Sequence, residues 1–232
     1  MRLEPNQIHV WHADLVISPE KETTQSALLS TDELERAKRF HAPVHRMRFI
    51  AARSILRQIL GLYLGVAPQE ITFSYAEHNK PYLLKPAKTG LQFNLAHSYD
   101  MAVYAFTLTQ LIGVDIEKIK DYYEPAVAKR FFSRQENTEL MSLPPDEQTA
   151  GFYRIWARKE AIVKAVGKGL SIPLSSFSVS AKPIAESLTL ESDSWSLVPL
   201  SINPGYQAAL ASNQPINEVS MWQLSEDGVE RV

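Results

Sequence analysis

The chain contains the segment Trp156-Ala-Arg-Lys-Glu-Ala-Ile-Val-Lys-Ala-Val-Gly-Lys-Gly-Leu170, in which the acid Glu160 precedes the base Lys164 by four residues. Residues four apart on an α-helix lie one above the other, so this acid and base share one face. We expect the helix to run from about 146 to 166 and to end at Gly167, because glycine readily adopts the left-handed conformation that ends a helix. The segment therefore predicts a helix that presents a carboxylate and an amine together.

A second motif upstream reads Leu111-Ile-Gly-Val-Asp-Ile-Glu117. Its alternation of apolar and acidic residues predicts a β-strand. Val114 and Ile116 then lie on one face of this strand, and Asp115 and Glu117 lie on the other. Two carboxylate side chains consequently project from the same face of the predicted strand.

Carboxylates placed this close need a cation or a proton between them, because like charges destabilise a fold. Glu160 can complete an oxygen cage with the two strand carboxylates, and Mg²⁺ suits such a cage because it prefers oxygen ligands and is usually shared with phosphates. Lys159, Lys164 and Lys168 offer positive charge for the remaining phosphate oxygens. Without the strand motif, an exposed helix with a salt bridge would explain Glu160 and Lys164 better. The predicted metal ligands are Asp115, Glu117 and Glu160.

The two motifs together resemble the paired signature of the 4′-phosphopantetheinyl transferases, in the order Gly113-Val-Asp-Ile-Glu117 and Trp156-x-x-Lys-Glu160-x-x-x-Lys164-x-x-Gly-x-Gly-Leu170. The resemblance implies an enzyme that moves the phosphopantetheine arm of coenzyme A onto a serine of an acyl or peptidyl carrier protein. The upstream segments Asn79-Lys-Pro-Tyr82 and Phe93-Asn-Leu-Ala-His-Ser98 are similar to the longer, surfactin-synthetase-activating (Sfp-type) branch. The resemblance covers about residues 34–205.

The family implies an α+β fold of two similar halves related by pseudo-twofold symmetry, with coenzyme A in the cleft between them. A faint repeat agrees with a duplication: Ala37-Lys-Arg-Phe40 recurs as Ala128-Lys-Arg-Phe131, and each copy precedes a helix that ends in glycine. We therefore expect an N-terminal half, residues 1–109, that grips the phosphates and the nucleotide. The C-terminal half, residues 110–232, is expected to carry the metal and catalytic residues.

Short β-rich runs follow the predicted helices in both halves. The predicted strands are 71–75, 91–96 and 101–107 in the first half, and 177–181, 195–202 and 206–211 in the second. A further candidate strand lies at 219–224. Ahead of the first-half strands, Pro43 separates two predicted helices.

Positive charge is concentrated at 36–57, where we expect a grip on the 3′-phosphate and diphosphate of coenzyme A, because guanidinium groups match phosphate geometry. The cluster consists of Arg36, Lys38, Arg39, His41, His45, Arg46, Arg48, Arg53 and Arg57. For any one of these residues a solvated helix face is the simpler explanation. The family resemblance favours Arg48 and adds Arg46 and Arg53, without deciding which of them contacts the 3′-phosphate.

Lysines supply further contacts to coenzyme A by resemblance. Lys80 follows Asn79 in a turn that the family builds with glycine, and it can reach a phosphate. Asparagine tolerates a positive φ better than most residues, so the turn can survive the change. Lys159 and Lys164 complete the predicted set of basic residues around coenzyme A.

The segment around His97 corresponds to the family's histidine segment beside the 3′-phosphate. Ala96 stands where the family has a serine, which removes one hydroxyl contact to that phosphate. Ser98 or backbone N–H groups can take its place. Without the family context, a histidine satisfied at the end of a strand explains His97 equally well.

The composition is that of an ordinary globular protein of 232 residues, 45% hydrophobic and 22% charged. A net charge of −2 gives no sign of bulk nucleic-acid binding. The most apolar run, 101–114, is interrupted by polar residues well short of a membrane span, and no signal-peptide pattern opens the sequence. Because the chain has no cysteine, disulfides and thiolate metal sites are excluded, and we expect a cytoplasmic protein.

The expected products are holo carrier protein and 3′,5′-ADP. A serine hydroxyl is a weak nucleophile, so its attack on the β-phosphate needs a base. Glu160 or a metal-bound water beside it is the candidate base, and the sequence leaves these two open. The predicted catalytic residues are Asp115, Glu160 and Lys164. We expect a monomer, and the sequence does not identify the native carrier protein.

Two other functions fit parts of the sequence. One is a catalytically silent module that binds coenzyme A or a carrier protein, but such a module has no chemical reason to keep Asp115, Glu117, Glu160 and Lys164 together. The other is a different Mg²⁺-dependent nucleotide enzyme. It lacks support, because the sequence has no G-x-x-x-x-G-K-[ST] loop, no G-x-G-x-x-G and no kinase catalytic motif.

Overall fold

A computed structural model describes residues 1–75, 80–87, 89–225 and 228–232. Its helices are α1 (Pro19–Ser26), α2 (Thr31–Lys38), α3 (Pro43–Leu64), α4 (Pro125–Phe131), α5 (Arg134–Ser142) and α6 (Pro145–Val166). Its strands are β1 (Ile8–Asp14), β2 (Thr72–Tyr75), β3 (Pro81–Lys85), β4 (Gln92–Ser98), β5 (Met101–Thr107), β6 (Ile112–Lys118), β7 (Glu186–Leu190), β8 (Asp193–Leu200), β9 (Tyr206–Ser212), β10 (Val219–Ser225) and β11 (Gly228–Arg231). None of the helices in these ranges combines the length and apolar character needed to cross a bilayer.

The predicted helices are found with small shifts at their ends. Helix α6 begins one residue before the predicted start and ends at Gly167, which adopts the left-handed conformation at φ 78°. Helices α2 and α3 are separated at Pro43, as predicted. All the predicted strands except 177–181 are also present, displaced by at most two residues.

Two sheets form the centre of the structure. Across the described residues, the first sheet has the order β11-β10-β1-β5-β4, with β10 parallel to β1 and the other neighbours antiparallel. The second sheet has the order β6-β9-β8-β7 and is antiparallel. Strands β2 and β3 form a separate hairpin. An apolar cluster that includes Val10, Ala105, Val114 and Leu210 joins the two sheets.

The two halves of the chain repeat one plan. Within the described residues, each half begins with a strand, β1 or β6, and continues through three helices, α1–α3 or α4–α6. It then returns in a strand pair, β4–β5 or β8–β9, whose last strand lies antiparallel to the first strand of that half. The third helices, α3 and α6, each have 22 residues and end at a left-handed glycine, Gly65 or Gly167. The predicted α+β fold with two similar halves is therefore confirmed.

The end of the chain returns to the first half. Strands β10 and β11 follow the second half in sequence, yet they extend the first sheet beside β1. The ring of Trp222 on β10 stacks on that of Trp11 on β1, with 5.6 Å between the ring centroids. The division of the chain into halves 1–109 and 110–232 stays a prediction. Residues 219–231, however, pack with the sheet of the first half.

The Ala-Lys-Arg-Phe repeat does not mark equivalent positions. Its first copy begins in α2 and its second lies in α4, which are the second and the first helix of their halves. The equivalent features are two capping boxes, in which a serine begins a helix and a glutamate three residues later accepts the serine N–H. Ser30 N–H donates to Glu33 at 3.0 Å, and Ser133 N–H donates to Glu136 at 2.6 Å. The repeated plan is thus visible in helix capping, and the four-residue match is a coincidence.

Both capping glutamates also hold a buried base on the long helix of their own half. Glu33 accepts from Nε of Arg57 at 2.7 Å and from Nε of Arg53 at 2.5 Å. Glu136 lies 2.7 Å from Nζ of Lys159. Arg57 and Lys159 occupy equivalent positions, each eight residues before the glycine that ends its helix. These pairs fix both long helices against the helices that precede them.

The predicted strand at 177–181 is wrong. This segment has no strand partner among the described residues, because side-chain carboxylates take its amide donors. Val179 N–H donates to Oε1 of Glu136 at 2.8 Å, and Ser180 N–H donates to Oε1 of Glu186 at 3.0 Å. Side-chain acceptors of this kind compete with sheet pairing, and a run of β-prone residues does not reveal them.

Replacing Lys159 by methionine tests the buried pair of the second half. The change leaves Glu136 as an unpaired buried charge, so we expect the free energy of unfolding to fall by about 3–5 kcal/mol. The matched control is Lys168→Met, because Lys168 and its partner Glu191 are both largely exposed. The control should cost about 0–1 kcal/mol. Urea unfolding followed by circular dichroism measures both variants, and equal losses would contradict a structural role for Lys159.

Candidate active site

Strand β6 passes directly against helix α6, and this contact depends on Gly113. A Cβ atom at Gly113 would lie 2.1 Å from the carbonyl oxygen of Ala161 and 2.3 Å from the amide nitrogen of Ala165, so only glycine fits. Side chains alternate along a strand, so Asp115 and Glu117 face the helix as Gly113 does. The residues between them enter the apolar cluster that joins the sheets. This is the arrangement that the alternating pattern predicts.

Asp115 is buried against the amine of α6. Its Oδ1 lies 2.5 Å from Nζ of Lys164, while its Oδ2 has no hydrogen-bond partner among the described residues. Burial raises the pKa of Asp115 to about 7; the Lys164 ammonium opposes this rise, and the charges of Glu117 and Glu160 add to it. A buried carboxylate with one free oxygen is an incomplete polar site, which a cation can complete.

Glu117 and Glu160 lie within electrostatic range of Asp115. Burial raises the pKa of Glu117, and a hydrogen bond donated by Ser98 Oγ at 3.1 Å works against that rise. Glu160 is half-buried on α6, and its charge raises the pKa of Glu117 as well. The structure therefore brings together the four residues predicted to carry the chemistry, Asp115, Glu117, Glu160 and Lys164.

The donor set fits Mg²⁺, although no ion is part of the structure. Within the described ranges, no three His, Asp or Glu side chains stand in the arrangement of a metal site, and the Lys164 ammonium lies against Asp115. The donors are carboxylate oxygens only, and Oδ2 of Asp115 is unpartnered, which is the chemistry that Mg²⁺ prefers. The residues that would hold the ion are Asp115, Glu117 and Glu160.

A cavity of about 330 Å³ lies next to Lys164, between the helices of the first half and α6. Its polar walls are formed by Arg36, Arg53, Tyr75, His97 and Lys164. Desolvation at the wall lowers the pKa of His97, and the charges of Lys164, Arg48 and Arg36 lower it further, although one side of the ring stays exposed. The positive lining suits an anionic ligand, and we call this space the basic cavity.

A second cavity, of about 290 Å³, also reaches Glu117. Its walls include the aromatic side chains of Tyr122, Phe152, Tyr153 and Trp156. We call it the aromatic cavity. Phe132 is 3% exposed and belongs to the core, and Phe131 packs edge-on against Trp156. We call Asp115, Glu117 and Glu160 together the acidic site. It lies where the basic cavity and the aromatic cavity approach each other.

The predicted arginines are placed unevenly around the basic cavity. Arg53 reaches its wall, but its Nε is bound to the capping glutamate of α2. Arg48 donates to Oδ1 of Asp100 through Nε at 2.8 Å and Nη2 at 2.6 Å. Arg46 donates to Glu22 at 2.9 Å. Arg46 and Arg48 do not line the basic cavity, so a phosphate contact from either remains a prediction.

Lys159 is buried in the second half, a position that does not favour the predicted contact with coenzyme A. Its side chain is 0% exposed, and its ammonium is bound by Glu136 and by the carbonyl oxygens of Leu174 and Phe177. Glu160, the next residue, points in a direction about 100° away around the helix axis. The order of charged residues in the sequence does not show that Lys159 and Glu160 point in different directions.

Lys80 braces the two halves. Its Nζ donates to the carbonyl oxygen of Lys164 at 2.6 Å, near the end of α6, and to that of Ile112 at 3.2 Å, at the start of β6. Burial lowers the pKa of Lys80 to about 8. A cation at the C-terminus of a helix also interacts favourably with the helix dipole. The predicted phosphate contact is untested, and Asn79, predicted to form the turn, lies outside the described residues.

Two residues at the site were not selected from the sequence. Arg36 was one member of the basic cluster, and its guanidinium lies over the ring of Phe49, 5.5 Å from the centroid, at the wall of the basic cavity. Ser98 was considered only as a replacement for a phosphate contact, yet it binds Glu117. Strand alternation could have identified Ser98 from the sequence, because it places Ser98 on the same face of the strand as Ala96 and on the opposite face from His97.

The variant Asp115→Asn tests whether the buried charge destabilises the fold. Because the pKa of folded Asp115 is raised from 3.8 to about 7, the folded protein binds this proton more tightly than the unfolded chain does. The wild type therefore loses stability at this position as the pH rises from about 4 to about 7. We expect metal-free Asp115→Asn to melt at a higher temperature than the wild type at about pH 8.

At about pH 5 this advantage should be clearly smaller, because pH 5 lies only about one unit above the ordinary pKa of an aspartate and most of the loss of stability occurs at higher pH. Thermal unfolding in metal-free buffer at the two pH values gives the comparison. The control is Glu191→Gln, since Glu191 is largely exposed. A lower melting temperature for Asp115→Asn at the higher pH would mean that the contact with Lys164 outweighs the cost of burial.

Both halves of the chain match models of one protein family. Residues 111–211 match the 4′-phosphopantetheinyl transferase superfamily, and residues 18–109 match the N-terminal model of 4′-phosphopantetheinyl transferase. The chain is 38% identical over 213 residues to the 4′-phosphopantetheinyl transferase HetI of Nostoc sp., which covers 91% of this chain and 90% of the relative. It is 32% identical over 212 residues to the 4′-phosphopantetheinyl transferase Sfp of Bacillus subtilis, with coverage of 90% and 93%.

These similarities agree with the geometry in a specific way. The acidic site and α6 lie within the range matched by the superfamily model, and most of the basic cavity wall lies within the range matched by the N-terminal model. Both relatives span nearly the whole chain, so the similarity is not limited to one motif. The chain therefore belongs to the 4′-phosphopantetheinyl transferase family and is a transferase.

Proposed function

We propose that this enzyme transfers the 4′-phosphopantetheine arm of coenzyme A to a serine of an apo acyl or peptidyl carrier protein, with Mg²⁺, and releases 3′,5′-ADP. One observation carries the proposal: a buried carboxylate with a free oxygen, Asp115, lies against Lys164 near two cavities of different chemistry. The basic cavity suits the nucleotide end of coenzyme A. The aromatic cavity suits its uncharged arm.

Asp115, Glu117 and Glu160 would hold the magnesium ion, which when bound neutralises the diphosphate and polarises a phosphoryl oxygen. Lys164 is placed to stabilise the negative charge that develops on the leaving diphosphate oxygen. Its ammonium lies at the border of the acidic site and the basic cavity. Burial of Asp115 gives these charges a surrounding of low polarity. Electrostatic stabilisation of the transition state is strongest in such surroundings.

The bond changes balance without a further reactant. A bond forms between the serine Oγ of the carrier protein and the β-phosphorus of coenzyme A, and the bond from this phosphorus to the bridging oxygen breaks. The electron pair of the broken bond leaves with 3′,5′-ADP. The serine proton passes to Glu160, directly or through a water molecule, because this carboxylate lies on the accessible side of α6.

The 3′-phosphate is proposed to lie against His97 and Arg36. Both residues line the basic cavity, and a phosphate there would raise the lowered pKa of His97 and favour its charged form. Arg48 is paired with Asp100, and its positive charge also acts on His97. Ala96 also lines this cavity and supplies no hydroxyl to the phosphate.

The proposal places the enzyme in the cytoplasm as a monomer. A chain without cysteine is compatible with a reducing compartment. The basic cavity takes its walls from α2, α3 and β4 of the first half and from α6 of the second, so one chain contains both the nucleotide grip and the catalytic residues. A catalytically silent binding module would keep the cavities without turnover, and the assay that follows separates it from an enzyme.

Alanine at Asp115, Glu117 or Glu160 should each abolish transfer while the protein stays folded. Losing one oxygen ligand leaves the diphosphate charge poorly compensated, at a cost of several kcal/mol in transition-state stabilisation. Mass spectrometry of an apo carrier protein incubated with enzyme, Mg²⁺ and coenzyme A detects the added arm. Glu191→Ala serves as the control for loss of a surface carboxylate. Near-normal turnover of any site variant at limiting Mg²⁺ would exclude that residue as a ligand, and an inactive wild type would favour the binding module.

The nucleotide grip is tested by comparing coenzyme A with 3′-dephospho-coenzyme A. If His97 and Arg36 bind the 3′-phosphate, alanine at either position should raise the KM for coenzyme A about 10- to 100-fold, since a charge-assisted contact contributes about 1.5–3 kcal/mol. The KM for the dephospho substrate should change little, because the partner group is absent. Arg48→Ala, expected from the sequence to behave in the same way, is measured beside them.

The control for this comparison is Lys38→Ala, which removes an exposed lysine paired with Glu35 on the same helix as Arg36. It should leave both substrates unaffected. Equal losses with the two substrates would assign His97 and Arg36 to the diphosphate or to the fold, and the 3′-phosphate would then have to lie elsewhere.

A further inference from the structure

The two halves are joined by side chains where backbone pairing stops. Strand β4 is the last strand of the first sheet and β6 is the first strand of the second sheet, within the described residues. Asn94 on β4 accepts the amide N–H of Val114 through Oδ1 at 2.8 Å. Ser98, four residues further along β4, accepts the amide N–H of Lys118 through Oγ at 3.1 Å. Two polar side chains of one half thus satisfy backbone donors of the other.

Ser98 makes a second contact that Asn94 does not make. Its Oγ lies 3.1 Å from Oε2 of Glu117. A hydroxyl group has one proton and two acceptor positions, and Ser98 must accept from the Lys118 amide, which has no proton-accepting capacity. The hydroxyl proton is therefore available to the carboxylate. Ser98 is fixed by a backbone group on one side and fixes a carboxylate oxygen on the other.

The position of this contact matters because Glu117 is the last of the acidic residues on β6. Its neighbour Asp115 is held by the approach of the strand to α6, but Glu117 is only partly buried and lies closer to the end of β6. A glutamate side chain has three rotatable bonds, so a directional hydrogen bond restricts where its oxygens lie. The hydrogen bond from Ser98 engages Oε2 and leaves Oε1 without a contact from this hydroxyl.

We propose that Ser98 is a positioning residue for Glu117: a side chain of the first half orients a metal-binding carboxylate of the second half, through a hydroxyl anchored on the Lys118 amide. The inference rests on the proposed function for the role of Glu117. It gives the junction of the halves a catalytic purpose, because movement of β4 relative to β6 changes the geometry of the acidic site. It also assigns Ser98 to the carboxylate and not to the nucleotide phosphate.

The test compares Ser98→Ala with Ser98→Thr, which keeps the hydroxyl, and with Asn94→Ala, which removes the other link between the strands without touching Glu117. Partners that orient metal ligands typically change metal affinity about 10- to 100-fold when removed. We expect Ser98→Ala to raise the Mg²⁺ concentration for half-maximal transfer by at least about 10-fold, with the KM for coenzyme A changed less than about 2-fold. Ser98→Thr should retain most of the wild-type Mg²⁺ dependence. Asn94→Ala should lower the melting temperature but leave the Mg²⁺ dependence unchanged.

Two measurements do not depend on turnover. Binding of Mn²⁺ to substrate-free protein, followed by electron paramagnetic resonance, should weaken by about the same factor in Ser98→Ala and remain unchanged in Asn94→Ala. Amide hydrogen exchange should become faster at Lys118 in Ser98→Ala and at Val114 in Asn94→Ala, because each amide loses its acceptor. These readouts remain informative if the wild type transfers nothing, an outcome that would overturn the proposed function alone.

Three results would overturn the positioning role. The first is a raised KM for coenzyme A in Ser98→Ala with unchanged Mg²⁺ dependence, which would make Ser98 a phosphate ligand. The second is an equal loss of metal affinity in Asn94→Ala, which would make both residues structural links. The third is unchanged exchange at the Lys118 amide in Ser98→Ala, which would show that the hydroxyl is not anchored there.

Discussion

The closeness of β6 to α6 controls the chemistry of the whole molecule. Gly113 allows the strand backbone to touch the helix backbone, and this contact brings Asp115 under Lys164. The consequence is a carboxylate that is buried with one oxygen unpaired, in a protein where burial opposes its ionisation. A well-packed apolar pair of similar volume is often at least as stable as a buried ion pair, so stability does not account for this arrangement. The arrangement agrees with the proposed role of Asp115 as a ligand of a cation.

Buried ion pairs elsewhere set the orientation of the helix that carries the other half of the site. Glu136 holds Lys159 in the interior of the second half, and Glu33 holds Arg57 at the equivalent position in the first. Fixing Lys159 inward fixes the rotation of α6 about its axis, so that Glu160 and Lys164 face β6 and the cavities. The same kind of buried ion pair thus supports a wall of the basic cavity in the first half and orients Glu160 and Lys164 in the second.

The two halves depend on each other through polar contacts at their junction as well as through the apolar cluster between the sheets. Lys80 of the first half binds carbonyl groups at the end of α6 and the start of β6, and Asn94 and Ser98 bind amides of β6. All these partners belong to the two elements that form the acidic site. Changes in the first half can therefore reach the acidic site over a few bonds, without any change in its own residues.

The sequence alone indicated the long helices α3 and α6, most of the central strands, and the grouping of Asp115 and Glu117 on one strand face with Glu160 and Lys164 on one helix face. These features follow from local periodicity, and periods of two and 3.6 residues are visible in a linear string. Only the tertiary structure decided that Lys159 is interior, that segment 177–181 is not a strand, that 219–231 returns to the first sheet, and that Ser98 binds a carboxylate. Each of these depends on a partner distant in sequence, such as Glu136 for Lys159 or Glu186 for Ser180. Local patterns contain no information about which distant group satisfies a buried charge or amide, because that choice is made by packing.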